Sequence, residues 1–407
     1  MNRLAPAAAA AVTLVAALAS AAAARPLTLD EALALARERA PVILAARARV
    51  DEARGRLLGA AVLLRENPTL GVGFGPRVRG PAGVAVEAQL SQTFELGGRR
   101  SARIDGARAA VARAVATDAE AGLRALREAA VAFYRALHAQ ERLKLAARAV
   151  ALAEATLHIA ARRHQAGDVP VLHVNVARGA LARARSERLA IEATLTAVVG
   201  ELRIVLGLDP TVALVLQGDL GDHSRFERLA AAPRQDTERP DVRVVAAEVR
   251  EAEADLRLGR GLGWPDLGVG VRYTQEEVGA SAVLGTVSLT LPLFDRGQGV
   301  RAEARARERR LRVELDATRR RAGIEVLTAI AVYRQRVAAL VELQAVAPVQ
   351  EHNEALARRS YEMGQLGLAD LLLVHREVLE TQVDFLARQL EAASAGIELE
   401  AAAGALR

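Results

Sequence analysis

The chain has 407 residues, 51% hydrophobic and only 3% aromatic, with 55 basic and 49 acidic side chains and no cysteine. So few rings argue against large compact cores, and the Ala, Leu, Arg and Glu content favours long helices. The charges are interspersed, as on solvated helix faces, which argues against a nucleic-acid partner; without cysteine there is no disulfide, thiolate metal site or lipid-accepting Cys.

In chain order, residues 1–24 read as a secretory signal peptide, with Arg3, an apolar stretch over 7–18, and Ala22, Ala23 and Ala24 before Arg25. Beyond Arg25 no uncharged apolar run reaches the roughly 18–20 residues of a spanning helix. The rest divides into two similar repeats, 25–207 and 237–407, joined by a segment over 208–236 rich in Asp, Gly and Pro. Each repeat opens on a predicted capping box, Thr28-Leu29-Asp30-Glu31 and Ser224-Arg225-Phe226-Glu227, and restarts a helix at a proline, Pro41 and Pro240. A strand pair follows in each, at about 69–94 and 266–294. Long helical hairpins are predicted over about 98–206 and 298–404, bending at Gly167 and Gly364. Apolar positions at helical spacing (Leu126, Ala130, Phe133, Leu137; Leu311, Ile330, Tyr333, Leu340) predict lateral packing of these helices.

The strands carry the strongest functional signal. Val84, Val86, Leu90, Leu267, Val269, Val271, Val287, Leu289 and Leu291 alternate with Glu87, Gln89, Ser91, Gly268, Gly270, Arg272, Thr286 and Ser288. A period of two over about ten residues suits a tilted strand crossing an outer membrane, with Val and Leu toward lipid. An open four-stranded sheet would leave two unpaired edges in lipid, and closure needs at least eight strands, hence at least two chains. A soluble β-sandwich edge shows the same alternation, but isolated hairpins joined to long helices argue against it.

These landmarks resemble the TolC-like outer membrane efflux protein family over nearly the whole chain from Leu27. The wording SQTFELGGRR after the second strand, LPLFDRGQG after the fourth and AGDVPVLHVNVARGAL after the first glycine bend is similar to its cobalt–zinc–cadmium resistance (CzcC-like) branch. The resemblance implies a mainly α fold with a small β part: helical hairpins forming a trimeric α-barrel, and four strands per chain contributing to a shared 12-stranded β-barrel in outer membrane lipid. It further implies a homotrimeric exit duct reaching into the periplasm, where a periplasmic adaptor and an inner membrane exporter dock. On that resemblance Gly167 and Gly364 are the adaptor-docking turns, and Asp370 is the acid that narrows the entrance, with His173 at the equivalent place in the first repeat. Leu373 stands where better-known members carry a second acid. Asp370 also reads as a charge favoured at a helix start.

No catalytic or cofactor-binding constellation is present. His138, His158, His164, His173, His223, His352 and His375 lack tight ligand spacing and read as surface residues. Gly71, Gly73, Gly75, Gly268 and Gly270 lie within alternating strands rather than between strand and helix, which excludes a phosphate loop. The sequence therefore predicts a duct for divalent metal cations without enzymatic activity. Its alternatives are the same duct for drugs or polypeptides, or a periplasmic coiled-coil adaptor without a pore.

Overall fold

The computed structural model describes residues 25–76, 83–211, 214–231, 239–277 and 280–406. The signal-peptide reading and part of the connecting segment lie outside these residues. A short strand β1 (Arg25–Leu27) leads into helices α1 (Leu29–Arg39) and α2 (Pro41–Ala61). At the start of α1 the predicted capping box forms. Thr28 Oγ1 accepts the Glu31 N–H at 3.3 Å, and the Glu31 carboxylate accepts the Thr28 N–H at 2.9 Å. Pro41 occupies the first turn of α2, where its missing N–H leaves no bond unmade.

Strands β2 (Thr69–Pro76) and β3 (Val84–Phe94) follow, then α3 (Arg99–Gln165), which at 67 residues is about 100 Å long. Helix α4 (Val171–Leu206) returns along it. In the connecting segment β4 (Leu214–Leu216) pairs in parallel with β1, and α5 (Ser224–Ala231) precedes the second repeat. That repeat comprises α6 (Pro240–Gly261), β5 (Asp266–Glu277), β6 (Ala280–Thr290), α7 (Gln298–Glu362) and α8 (Leu368–Ala402).

The duplication is visible in how the helices stop. Helices α3, α4, α7 and α8 run to left-handed glycines, Gly167, Gly207, Gly364 and Gly404. In each case the following amide reaches back five residues: Asp168 to Arg163, Leu208 to Arg203, Gln365 to Ser360 and Ala405 to Glu400, at 2.8–2.9 Å. This closure satisfies carbonyls that a helix end leaves without partners, and glycine adopts the required φ without steric cost.

Two sequence expectations need correction. Ser224 does not form a capping box; it is already inside α5, and Asp222 caps instead, its Oδ1 accepting the Ser224 N–H at 3.1 Å and the hydroxyl at 2.6 Å. The fourth strand ends at Thr290, not near 294, so Leu291 and Leu293 lie beyond it. Pro292 has no N–H for a ladder and restricts Leu291, which accounts for the early stop.

The main core sits at mid-height, where α1, α3, α4, α5, α7 and α8 converge on Phe133, Leu137, Leu202, Phe226, Tyr333 and Leu399. Phe226 and Tyr333 meet edge to face at 6.0 Å. Towards the sheet, α6 is wedged between α3 and α7. Ion pairs fix it on both sides: Glu251 with Arg113 and Asp255 with Arg307, both at 3.1 Å. Away from the sheet the helices form one layer in the order α4-α3-α8-α7. The outer helices of that layer expose apolar residues, Leu172, Leu189 and Ile204 on α4 and Ile324, Leu327 and Val349 on α7.

Candidate functional site: a two-faced sheet and paired hairpin tips

The four longer strands form one antiparallel sheet in the order β2-β3-β5-β6, so β3 and β5 join the repeats and β2 and β6 are its free edges. Residues directly opposite each other in such a ladder share a face, so register decides whether the alternation of four separate strands adds up. It does. Leu70 lies opposite Leu90, which lies opposite Val271; Phe94, Leu267 and Leu289 form another row, and Val269 faces Val287. Val84, Val86, Leu90, Val269, Val271, Val287 and Leu289 are exposed on this face, with Leu267 half-buried. The opposite face carries Gly71 against Gln89, Gly73 against Glu87, Gly268 against Ser288 and Gly270 against Thr286. A slip of one residue between any two strands would have mixed the faces.

Between sheet and helices, Gly97 and Gly98 (both φ +71°) and Gly297 (φ +72°) turn the chain. A Cβ at Gly97 would stand 2.6 Å from the Trp264 ring, so the indole packs directly against bare backbone. Arg99 pairs with Asp266 across this junction and ties the start of α3 to the start of β5.

At the other end the two helical hairpins lie side by side. Gly167 and Gly364 are both exposed. Arg163, four residues before Gly167, reaches across to the second hairpin. Its Nη1 donates to the Tyr361 carbonyl at 3.0 Å, and its guanidinium lies 5.2 Å from the centre of the Tyr361 ring. Tyr361 is fully buried with Ile159, Ala357, Leu368 and Leu371, and burial raises its phenol pKa against the opposing Arg163 charge. Sequence reasoning missed this brace, because nothing in the spacing of Arg163 distinguishes it from the many other arginines of α3.

Asp370 and His173 occupy equivalent places, each the third residue of its returning helix. Asp370 is exposed, and its carboxylate folds back over the helix start, where a Cβ on Gly367 would meet Oδ2 at 3.0 Å. This position suits the dipole of α8 and also leaves the charge open to solvent. His173 is half-buried, with Nδ1 unpartnered.

The surface reading of the histidines fails for His223 and His375, which are buried. His375 falls four residues after Leu371 and three before Val378, all on the buried stripe of α8. Its Nε2 has no partner, and desolvation lowers its pKa, opposed by Glu354 and reinforced by Arg358. The helical period of that stripe was the signal that could have found it.

The architecture is thus two long helical hairpins in tandem, topped by a single two-faced sheet. The chain belongs to the outer membrane efflux protein family, whose pattern matches residues 32–208 and 235–405. It is 28% identical over 373 residues to the cobalt-zinc-cadmium resistance protein CzcC of Cupriavidus metallidurans, spanning 89% of this chain and 87% of that one. It is 27% identical over 246 residues to the nickel-cobalt-cadmium resistance protein NccC of Alcaligenes xylosoxydans, spanning 58% and 55% respectively. Among solved structures, CusC superposes with a TM-score of 0.76 at 17% identity, covering 92% of this chain and 91% of that chain. The Campylobacter jejuni CmeC outer membrane channel superposes with a TM-score of 0.76 at 16% identity, over 93% and 85%. At these identities the superpositions establish the fold. The protein is thus an outer membrane efflux channel of the tripartite-pump class, extending into the periplasm. No helix among the described residues is long and apolar enough to cross a membrane.

Proposed function

We propose that three copies of this chain close into the exit duct of a pump that expels divalent heavy-metal cations such as cobalt, zinc or cadmium. In this reading a periplasmic adaptor docks at the turns of Gly167 and Gly364, and an inner membrane exporter supplies the energy. The observation that carries the assembly is a matched pair of open edges. The sheet stops at β2 and β6, and the helical layer stops at α4 and α7 with apolar side chains exposed. Unpaired strand edges are untenable in lipid. One rotation that sets β6 and α7 of one copy beside β2 and α4 of the next would close both layers in a ring. The Val and Leu face then meets acyl chains, and the Gly, Ser and Thr face lines the lumen.

The metal cargo is supported by the two resistance proteins, whose names share cobalt and cadmium. Three copies of Asp370 around one axis would add a cation-attracting ring at the entrance. The test is a deletion strain complemented with this chain. Zinc, cobalt and cadmium tolerance should fall on deletion and return on complementation, while drug tolerance stays constant. Unchanged metal tolerance with altered drug tolerance would overturn the cargo assignment. Absence of channel current in planar bilayers would overturn the duct itself.

A further inference from the structure

On the polar face of the sheet, β2 and β5 are nearly bare. Gly71, Gly73, Gly75, Gly268 and Gly270 contribute no side chains, and at Gly270 a Cβ would stand 2.6 Å from the Leu90 carbonyl and 2.9 Å from Thr286 Oγ1. From this floor rises one ion pair. Arg272 Nε lies 3.2 Å from the Glu87 carboxylate, and Arg272 Nη2 donates to Gln89 Oε1 at 3.0 Å. The ladder accounts for the geometry: Arg272 lies directly opposite Gln89, and Glu87 is one same-face step along β3, with Gly73 on its other side. Both side chains keep substantial exposure, 40% for Arg272 and 45% for Glu87. Asp266, held by Arg99, marks the helix-side end of this face. Between it and Gln275, Glu87 and Arg272 are the only charged side chains on this face among the described residues.

We propose that Glu87 and Arg272 form the selectivity collar of the outer pore, and that Glu87 is the residue that keeps this collar passable to cations. The assignment rests on the duct reading above, in which the polar face lines the lumen. Arg272 alone, repeated in three copies at one height, would set a ring of positive charge across the exit path of a cation. Glu87 cancels that ring locally, and Gln89 holds the guanidinium in place to be cancelled. Three unit charges roughly 10 Å from a permeating ion in water change its local concentration by about eightfold when unscreened. The effect grows at low salt and fades as the Debye length shrinks from about 30 Å at 0.01 M to about 3 Å at 1 M.

The experiment is the reversal potential of single channels in planar bilayers under a KCl gradient, at low and high salt. Glu87→Gln should shift selectivity towards anions severalfold at low salt, and Arg272→Gln towards cations, both shifts shrinking at high salt. Exchanging the pair, Glu87→Arg with Arg272→Glu, should return the wild-type value. Channels of wild-type conductance whose reversal potential is unmoved by either single substitution would overturn the collar while leaving the duct intact. A wild-type protein that gives no current would instead sink the duct reading. A measurement without substitutions guards against variants that fail to assemble. Wild-type channels should show no strong anion preference at low salt, because Glu87 offsets Arg272 within each chain; a strong anion preference would overturn the collar.

Discussion

The neighbouring residues Val287 and Ser288 offer the sharpest test of which sheet face meets lipid. They lie on the same strand at nearly the same height, are both exposed in the single chain, and project from opposite faces. Val287 pairs with Val269, three residues in from Asp266, which is about 10 Å along the strand and about 8 Å in height for a tilt of ~40°. The apolar surface continues past the strand end through Leu291 and Leu293, so Val287 falls in the inner part of a band about 25 Å tall. Arginine at that depth costs about 2–3 kcal/mol per chain, hence about 6–9 kcal/mol for three copies. That is comparable with the whole folding margin of a domain, about 5–15 kcal/mol. Ser288→Arg should cost under about 0.5 kcal/mol, because it projects over Gly268 into water. The assay is the amount of heat-modifiable, detergent-resistant oligomer in outer membrane fractions. Val287→Arg should abolish it and Ser288→Arg should leave it near wild type. Equal depletion by both, or tolerance of both, would refute the sidedness.

Other perturbations probe the remaining parts of the molecule. Gly97→Ala combines a φ of +71° with a Cβ 2.6 Å from the Trp264 ring, and should cost about 2–4 kcal/mol in urea or thermal unfolding. Trp264→Ala in the same background should recover part of that loss, and a neutral Gly97→Ala would contradict the packing. For His375, desolvation holds the native pKa below its usual 6.5. Below pH ~6.5 the unfolded chain therefore binds a proton that the native tip does not, and stability falls as the pH drops. His375→Leu should flatten this slope in amide exchange of the hairpin tip between pH 7.5 and 5.5, leaving a residual global slope from half-buried His138 and buried His223, whose values are also lowered. Asp370→Asn should reduce cation selectivity and block by multivalent cations from the periplasmic side. Unchanged selectivity would reduce Asp370 to a helix-start charge.

Periodicity made most of this fold legible. Within the four strands the alternation separated two faces, because register couples every residue on one strand to its neighbours, so one apolar row constrains the next; Leu291, read as part of the apolar face, lies beyond β6. The glycine bends at Gly167 and Gly364 were legible because a left-handed helix stop admits few other residues. Local competition was harder to read. Ser224 and Asp222 both offer oxygens to the same helix start, and the residue pattern alone chose the wrong one. Long-range partners were invisible: Arg163 with Tyr361 and Arg272 with Glu87 are separated by 198 and 185 residues (361 − 163 and 272 − 87) and meet only through the architecture. In an arginine-rich chain no single arginine advertises its role.

The duplicated halves repeat one arrangement of strand pair and helical hairpin, and their hairpin tips differ in chemistry. Counting from the bend glycine, Arg163 corresponds to Ser360, His164 to Tyr361 and His173 to Asp370, while the buried Val174 corresponds to the buried Leu371. Packing positions were conserved in character because each returning helix must bury the same stripe against its partner. Polar positions were free to differ, and they differ in a complementary sense. The first repeat supplies the cation that braces the second repeat's Tyr361, and the second supplies the acid whose first-repeat counterpart is His173. Two identical tips could not form the Arg163 brace, since Ser360 in place of Arg163 has no charge to offer a ring. A ring built from alternating, unlike tips therefore has two kinds of junction between neighbouring hairpins. The one inside each chain is held by Arg163 and a buried Tyr361. In the ring proposed above, the one between chains would join α7 to α4, whose outer faces carry exposed apolar side chains. If the entrance opens by hairpins moving apart, separation inside a chain must break the contacts of Arg163 with Tyr361.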